Sequence, residues 1–304
     1  MNNKVVIIGC GNVGMSYAYA LVNQKTFVTD LVLVDIDKEK TEGEAMDLSH
    51  GIPFAPSKIN IKSGTYTDCK DAKIVCICAG ANQKEGETRL DLIKKNYNIL
   101  KSIIPNVMSS GFNGIILMVT NPVDACSYFA YKLSGLPSSH IIGSGTTLDT
   151  SRLRYLIGDK LKINPKNIHA YVLGEHGDSE FVPWSNASVG LNSIYNYLSN
   201  DELEYMCKDV KNAAYEIIKR KNVTNYGIGM CLARITNSVL GNENTVLCTS
   251  TYLTKYDVYI SMPCIINNLG VREVVSFPLS NEEQSKLLYS INVIKNIINK
   301  TIED

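Results

Sequence analysis

The sequence predicts an α/β protein: a Rossmann-type, doubly wound parallel sheet in the N-terminal half, then a C-terminal α+β unit with antiparallel strands. Three observations carry that expectation. Short β-rich runs alternate with helical patterns up to about residue 143. The runs over 74–78 and 115–119 are apolar throughout rather than alternating, as strands covered on both faces require. Beyond residue 143 helices give way to consecutive strands separated only by turns.

Taken in order, strands are expected at 4–8, 30–34, 59–62, 74–78, 114–119 and 140–142. Helices are expected between them at 12–23, 38–49, 90–110 and 122–134, the second stopped by Gly51 and Pro53 and the last by Gly135. Six strands in βα alternation fit a dinucleotide fold. The second half should hold a helix at 148–161, a strand at 169–173 and helices at 201–221 and 226–240. Strands at 246–253, 258–266 and 271–276 follow, then a terminal helix from Asn281. The 304 residues exceed one typical domain, so two are expected, 1–143 and 144–304, packed closely around a cleft.

Composition narrows the function. Thirty basic residues balance thirty acidic ones, which argues against a nucleic-acid partner. No apolar run is long enough to span a bilayer, and Lys4 already begins a strand, which leaves no room for a signal peptide. Nine cysteines lie without a paired framework, several inside apolar runs, as expected of a cytoplasmic protein.

The segment Gly9-Cys10-Gly11-Asn12-Val13-Gly14 reads G-x-G-x-x-G between a strand and a helix. Gly9 permits the tight turn, Gly11 lets the backbone approach a pyrophosphate, and Gly14 lets helix and strand close together. Such turns also arise by chance, but Asp35 ends the second strand, where a carboxylate binds adenosine ribose hydroxyls. It would repel a 2′-phosphate, and no arginine follows to receive one, so NAD is favoured over NADP. Asn121, in Thr120-Asn121-Pro122-Val123-Asp124, falls at a carboxyl end of the sheet and is a candidate cofactor contact, though Asn-Pro also simply opens turns.

Gly174-Glu175-His176-Gly177-Asp178 sets a histidine just past a strand, as a general acid–base or as an ordinary turn residue. Asp149 and Arg152 are three apart on a helix and share a face, in a site or as a common ion pair. The glycine-flanked stretch from Gly80 to Arg89 fits a lid, or a passive solvated loop.

With the glycine turn, Asp35, ANQKEGETRLDL, TNPVD, GSGTTLDTSRLR and GEHGD in this order, the chain resembles the lactate/malate dehydrogenase family from end to end, bacterial L-lactate dehydrogenases regulated by fructose-1,6-bisphosphate in particular. The resemblance implies reversible hydride transfer between NADH and pyruvate, giving L-lactate. It implies that His176 exchanges the proton, Asp149 holds its imidazolium, Arg89 polarises the carbonyl and Arg152 grips the carboxylate. Gln83, Asn121 and Thr224 would complete the substrate site. Gly9, Gly11, Asn12, Val13, Gly14, Asp35, Gly80, Ala81 and Asn121 would hold NAD. Gln83 stands where malate enzymes carry arginine. A second substrate carboxylate would be buried there without a countercharge, at a cost on the order of several kcal/mol. Glu85 departs from a frequent proline.

Arg154 is about 200° around the helix from Arg152, so the two cannot face one pocket. By resemblance, Arg154 and His169 would bind fructose-1,6-bisphosphate at a subunit interface and favour a homotetramer. The family's vertebrate members carry an N-terminal arm that embraces neighbouring subunits; with strand residues starting at Lys4, a dimer–tetramer equilibrium is expected. No metal site is expected, since His50, His140, His169 and His176 lack ligand spacing and Cys76 and Cys78 read as strand core. Cys10, inside the glycine loop, is open as an oxidisable thiol.

Overall fold

The structure, a computed structural model, describes residues 3–81 and 89–302. Strands β1 (Lys4–Ile8), β2 (Asp30–Val34), β3 (Asn60–Ser63), β4 (Ile74–Ile77), β5 (Ile115–Met118) and β6 (Ile141–Gly143) alternate with helices α1 (Asn12–Val22), α2 (Lys38–Gly51), α3 (Arg89–Ser109) and α4 (Val123–Ser134). The second half contains α5 (Thr147–Leu161), β7 (Ile168–His169), β8 (Ser188–Val189), β9 (Asn192–Ser193), α6 (Asn200–Lys221) and α7 (Tyr226–Leu240). It ends with β10 (Thr245–Leu253), β11 (Val258–Asn267), β12 (Gly270–Val274) and α8 (Asn281–Ile302). Among the described residues, no helix is long and apolar enough to cross a membrane.

Strands β1 to β6 pair in parallel in the order β6-β5-β4-β1-β2-β3. Every residue of β4 and β5 is buried, which is why their runs carry no polar alternation. The order reverses between β1 and β4, and the crevice at that reversal is where folds of this kind bind ligands, outside the carboxyl ends of the strands.

The antiparallel strands do not form a sheet of their own. They extend the parallel one: β10 joins β6 at Ser250↔Gly143, and β11 and β12 follow, giving nine strands in a single sheet. Gly143 makes the junction possible, since a Cβ there would sit 2.4 Å from Ser127 Oγ and 2.6 Å from Ser250 Cβ. One large core follows this sheet from β1 to α8, and a smaller one lies between α5, α6 and the little sheet β7-β8-β9.

The strand expected at 169–173 is the main departure. Only Ile168–His169 enters a sheet, and Leu173 makes an isolated bridge to Phe181. Side chains of α5 and its cap explain this. Thr150 Oγ1 accepts from the Val172 amide (3.0 Å), Thr146 Oγ1 donates to the Val172 carbonyl (2.5 Å), and Arg154 Nε donates to the Ala170 carbonyl (3.0 Å). The backbone polar groups are satisfied by a helix, so no partner strand is needed.

Helix α7, midway through the chain's second half, lies along α1, the helix that follows the glycine turn. Tyr17 and Thr236 share a buried hydrogen bond of 2.5 Å, and Asn225 Nδ2 donates to Ser16 Oγ at 2.8 Å. The approach is close at Gly229, where a Cβ would lie 2.7 Å from the Ser16 backbone. Gly229→Ala should therefore lower stability by about 1–3 kcal/mol, read as a reduced urea midpoint with unchanged slope.

Candidate active site

The glycine turn is built as its spacing suggests. Gly9 has φ of 99°, and a Cβ there would meet the Ala79 amide nitrogen at 2.4 Å. A Cβ on Gly14 would fall 2.0 Å from the Gly9 carbonyl oxygen. Around Gly11, by contrast, nothing lies within 4 Å of a Cβ, so the backbone is open to a close-lying pyrophosphate at the start of α1. The residues fit a dinucleotide. Asp35 anchors the turn from the end of β2: its Oδ2 accepts from the Cys10 amide at 2.7 Å and its Oδ1 from the Asp37 amide at 3.2 Å. Burial, with Asp35 next in weight, pushes the Cys10 thiol up to about 12, so it stays protonated and is no reactive thiol.

A second part of the cradle was not legible beforehand. Buried Asn96, on α3, accepts from the Ala81 amide (2.7 Å) and donates to the Asn121 carbonyl (2.6 Å). It ties the chain leaving β4 to the chain leaving β5. Gly80 is required beside it, because a Cβ there would lie 2.5 Å from Thr120 Cγ2. Asn12 and Asn121 are exposed, and Val13, Asp35 and Ala81 half-buried, at the sheet's carboxyl edge.

His176, Asp149 and Arg152 come together. His176 Nδ1 lies 2.7 Å from Asp149 Oδ2, and Arg152 Nη1 donates to Asp149 Oδ1 at 2.8 Å. Asp149 is nearly sealed, whereas the His176 side chain keeps 28% of its surface. Burial disfavours charge on the imidazole, but the Asp149 carboxylate outweighs it and raises the pKa to about 9. Burial also works against charge on Asp149, and His176 and Arg152 together hold its carboxyl below the usual range. Glu180 lies close to this pair, and its carboxyl is raised to about 8 by burial and then by Asp149.

The histidine loop is fixed from three sides. Leu173 and Phe181 exchange backbone bonds of 2.8 and 3.0 Å, and Gly174 and Ser261 of β11 exchange two more. Asp124, in the first turn of α4, accepts from the His176 amide at 2.8 Å and from Ser250 Oγ at 2.6 Å. Burial raises its carboxyl to about 6, against these two bonds. No sequence signal marked Asp124 as a partner of His176, because 52 residues separate them.

Gln83 lies outside the described residues, as does Glu85; Arg89 opens α3, and its side chain is not among those described. Thr224 is half-buried just ahead of α7. Arg154 lies away from Asp149 and Arg152: its Nε holds the Ala170 carbonyl, its guanidinium carbon stands 4.6 Å from the Tyr171 ring centre, and His169 beside Ala170 is exposed.

A dinucleotide cradle and an acid–base pair built onto one sheet edge define a nicotinamide-dependent dehydrogenase. Residues 3–143 match the lactate/malate dehydrogenase NAD binding domain, and residues 146–304 match the alpha/beta C-terminal domain of the same group. The chain belongs to the lactate/malate dehydrogenase family. It is 51% identical to L-lactate dehydrogenase 1 of Peribacillus psychrosaccharolyticus, over 97% of this chain and 96% of the relative. It is 50% identical to L-lactate dehydrogenase 2 of Bacillus anthracis, over 96% of each. A lactate dehydrogenase from a Medee basin deep-sea metagenome library superposes with a TM-score of 0.96, at 53% identity and 99% coverage of both chains. The minor L-lactate dehydrogenase of Enterococcus mundtii in its ligands-bound form gives 0.95, at 44% identity and 98% coverage of both.

Removing Asp124 leaves the His176 amide and the Ser250 hydroxyl without their partner. Asp124→Ala should cost about 1–3 kcal/mol of stability and lower turnover. Asp124→Asn should recover most of the loss, since its oxygen accepts one bond and its amide donates to Ser250. Urea unfolding alongside steady-state kinetics reads both effects.

Proposed function

We propose that the chain is an L-lactate dehydrogenase, reducing pyruvate to L-lactate and running in reverse, with residues 1–143 as its NAD-binding domain and 144–304 as its substrate domain. The observation that carries the reading is the buried Asp149 carboxylate shared between the His176 imidazole and the Arg152 guanidinium. When bound, the nicotinamide supplies the hydride. The chain's residues do the rest. Gly9, Gly11, Asn12, Val13, Gly14, Asp35, Gly80, Ala81 and Asn121 hold the dinucleotide.

Asp149 occupies Nδ1 of His176, so Nε2 is the nitrogen that delivers the proton to the keto oxygen. A raised imidazole pKa keeps that proton available at neutral pH. Arg152 has one nitrogen on Asp149, which fixes the plane of the guanidinium and leaves its other donors for the substrate carboxylate. Arg89 stabilises the oxygen as charge develops on it. Gln83 and Thr224 border the rest of the substrate, and Gln83 offers no countercharge to a dicarboxylate.

Arg154 and His169 form a separate anion site for fructose-1,6-bisphosphate at a subunit interface, promoting a tetramer from dimers in the cytoplasm. Its support is positional: Arg154 is held to the chain one residue from exposed His169, away from Asp149. Bound phosphates would replace repulsion between like charges with attraction.

The direct test follows NADH consumption with pyruvate and with oxaloacetate, each with and without fructose-1,6-bisphosphate, beside sedimentation. Pyruvate should be strongly preferred, and the bisphosphate should raise pyruvate affinity and tetramer fraction; Arg154→Gln should abolish both responses. Gln83→Arg should move the preference toward oxaloacetate. His176→Asn should lower kcat by about 10²–10⁴. Reduction needs the imidazolium, so its rate should fall as pH rises through about 9, while lactate oxidation, which needs the neutral ring, should gain over the same range.

A further inference from the structure

The mechanism leaves Glu180 without a task, although it stands at the neck of the histidine loop. Its neighbour Phe181 closes that loop onto Leu173. Glu180 is only 5% exposed. One of its carboxyl oxygens, a carboxylate oxygen of Asp149 and a ring nitrogen of His176 all lie within 4.8 Å of one another.

The charges around it are spoken for. From α5 come Asp149 and Arg152, already bonded to each other at 2.8 Å. From α6 come Cys207 and Lys211, and the Lys211 ammonium donates to the Asp178 carbonyl at 3.0 Å. Asp124 of α4 faces His176 from the other side.

We propose that Glu180 is a positioning residue for the acid–base step: it stays a neutral acid while the anionic substrate enters, and its later ionisation keeps the proton on His176 in alkaline solution. The inference rests on His176 being the proton donor. With Glu180 neutral, the Asp149 carboxylate, the His176 imidazolium and the Arg152 guanidinium sum to one net positive charge, which the substrate's carboxylate balances. An ionised Glu180 would cancel that charge before the substrate arrived. A buried carboxyl beside a carboxylate retains its proton well past the usual range, consistent with titration near 8. Once it ionises, its charge joins that of Asp149 in favouring the imidazolium.

Glu180→Gln keeps the shape and removes the charge. In profiles of log kcat/KM for pyruvate reduction from pH 5.5 to 10, its alkaline limb should move down by about one pH unit. Glu180→Asp should restore at least half of that shift. Pyruvate KM should rise near pH 8 in the wild type, as ionised Glu180 cancels the site's positive charge, and should stay level there in the glutamine variant. A glutamine variant whose limb superimposes on the wild type, or moves upward, overturns the proposal. The wild type gives a second reading that needs no variant: the ¹⁵N titration of His176 should show two steps, because two coupled groups share the change. A single-step curve also overturns it. Retention of wild-type turnover by His176→Asn would instead remove the proton-donor reading and this inference with it. An active Glu180→Gln with an unmoved limb removes the glutamate's role alone.

Discussion

The arrangement depends on one sealed carboxylate. Asp149 has both oxygens engaged, one on His176 and the other on Arg152. Burying a lone carboxylate is expensive, and two cations make this one tolerable. The dependence is mutual. Without the carboxylate, the imidazole would lose the partner that raises its pKa, and the guanidinium would lose the contact that sets its plane. Charge balance and orientation are therefore one constraint. It is met within the first turns of a single helix, where Asp149 also benefits from the helix dipole.

What brings a histidine on a distant loop to that helix is the continuity of the sheet. Because β10 joins β6, the antiparallel strands stand beside the helix that follows β5. Ser250 on β10 and the His176 amide then meet on the same Asp124 carboxylate. Asn96 performs a comparable service on the cofactor side, between the ends of β4 and β5. The two buried polar residues link the exits of neighbouring parallel strands to what each must hold, and both are satisfied on every bond described.

Much of this was legible in the sequence, for identifiable reasons. Parallel strands buried on both faces write themselves as unbroken apolar runs, so β4 and β5 could be placed to within two residues. The glycine turn was legible because steric necessity leaves only one residue type at Gly9 and Gly14. Pairing across the chain was not. Nothing local reveals that Asp124 reaches His176, that Asn96 bridges two loops, or that Glu180 falls beside Asp149. The strand expected over 169–173 failed for a related reason: its apolar pattern was real, but side chains of α5 supplied the hydrogen bonds that a neighbouring strand would otherwise provide.

Asp35 serves two masters. In the proposed reading its position after β2 would give it the adenosine ribose, while its Oδ2 holds the Cys10 amide and so braces the glycine turn. On that reading, selectivity between the two nicotinamide dinucleotides and the rigidity of the glycine turn would be vested in one side chain. An engineer converting this enzyme to the phosphorylated coenzyme could not simply neutralise that acid. A replacement acceptor for the Cys10 N–H would have to be designed in the same round, or the gain in tolerance would come with a slack pyrophosphate grip.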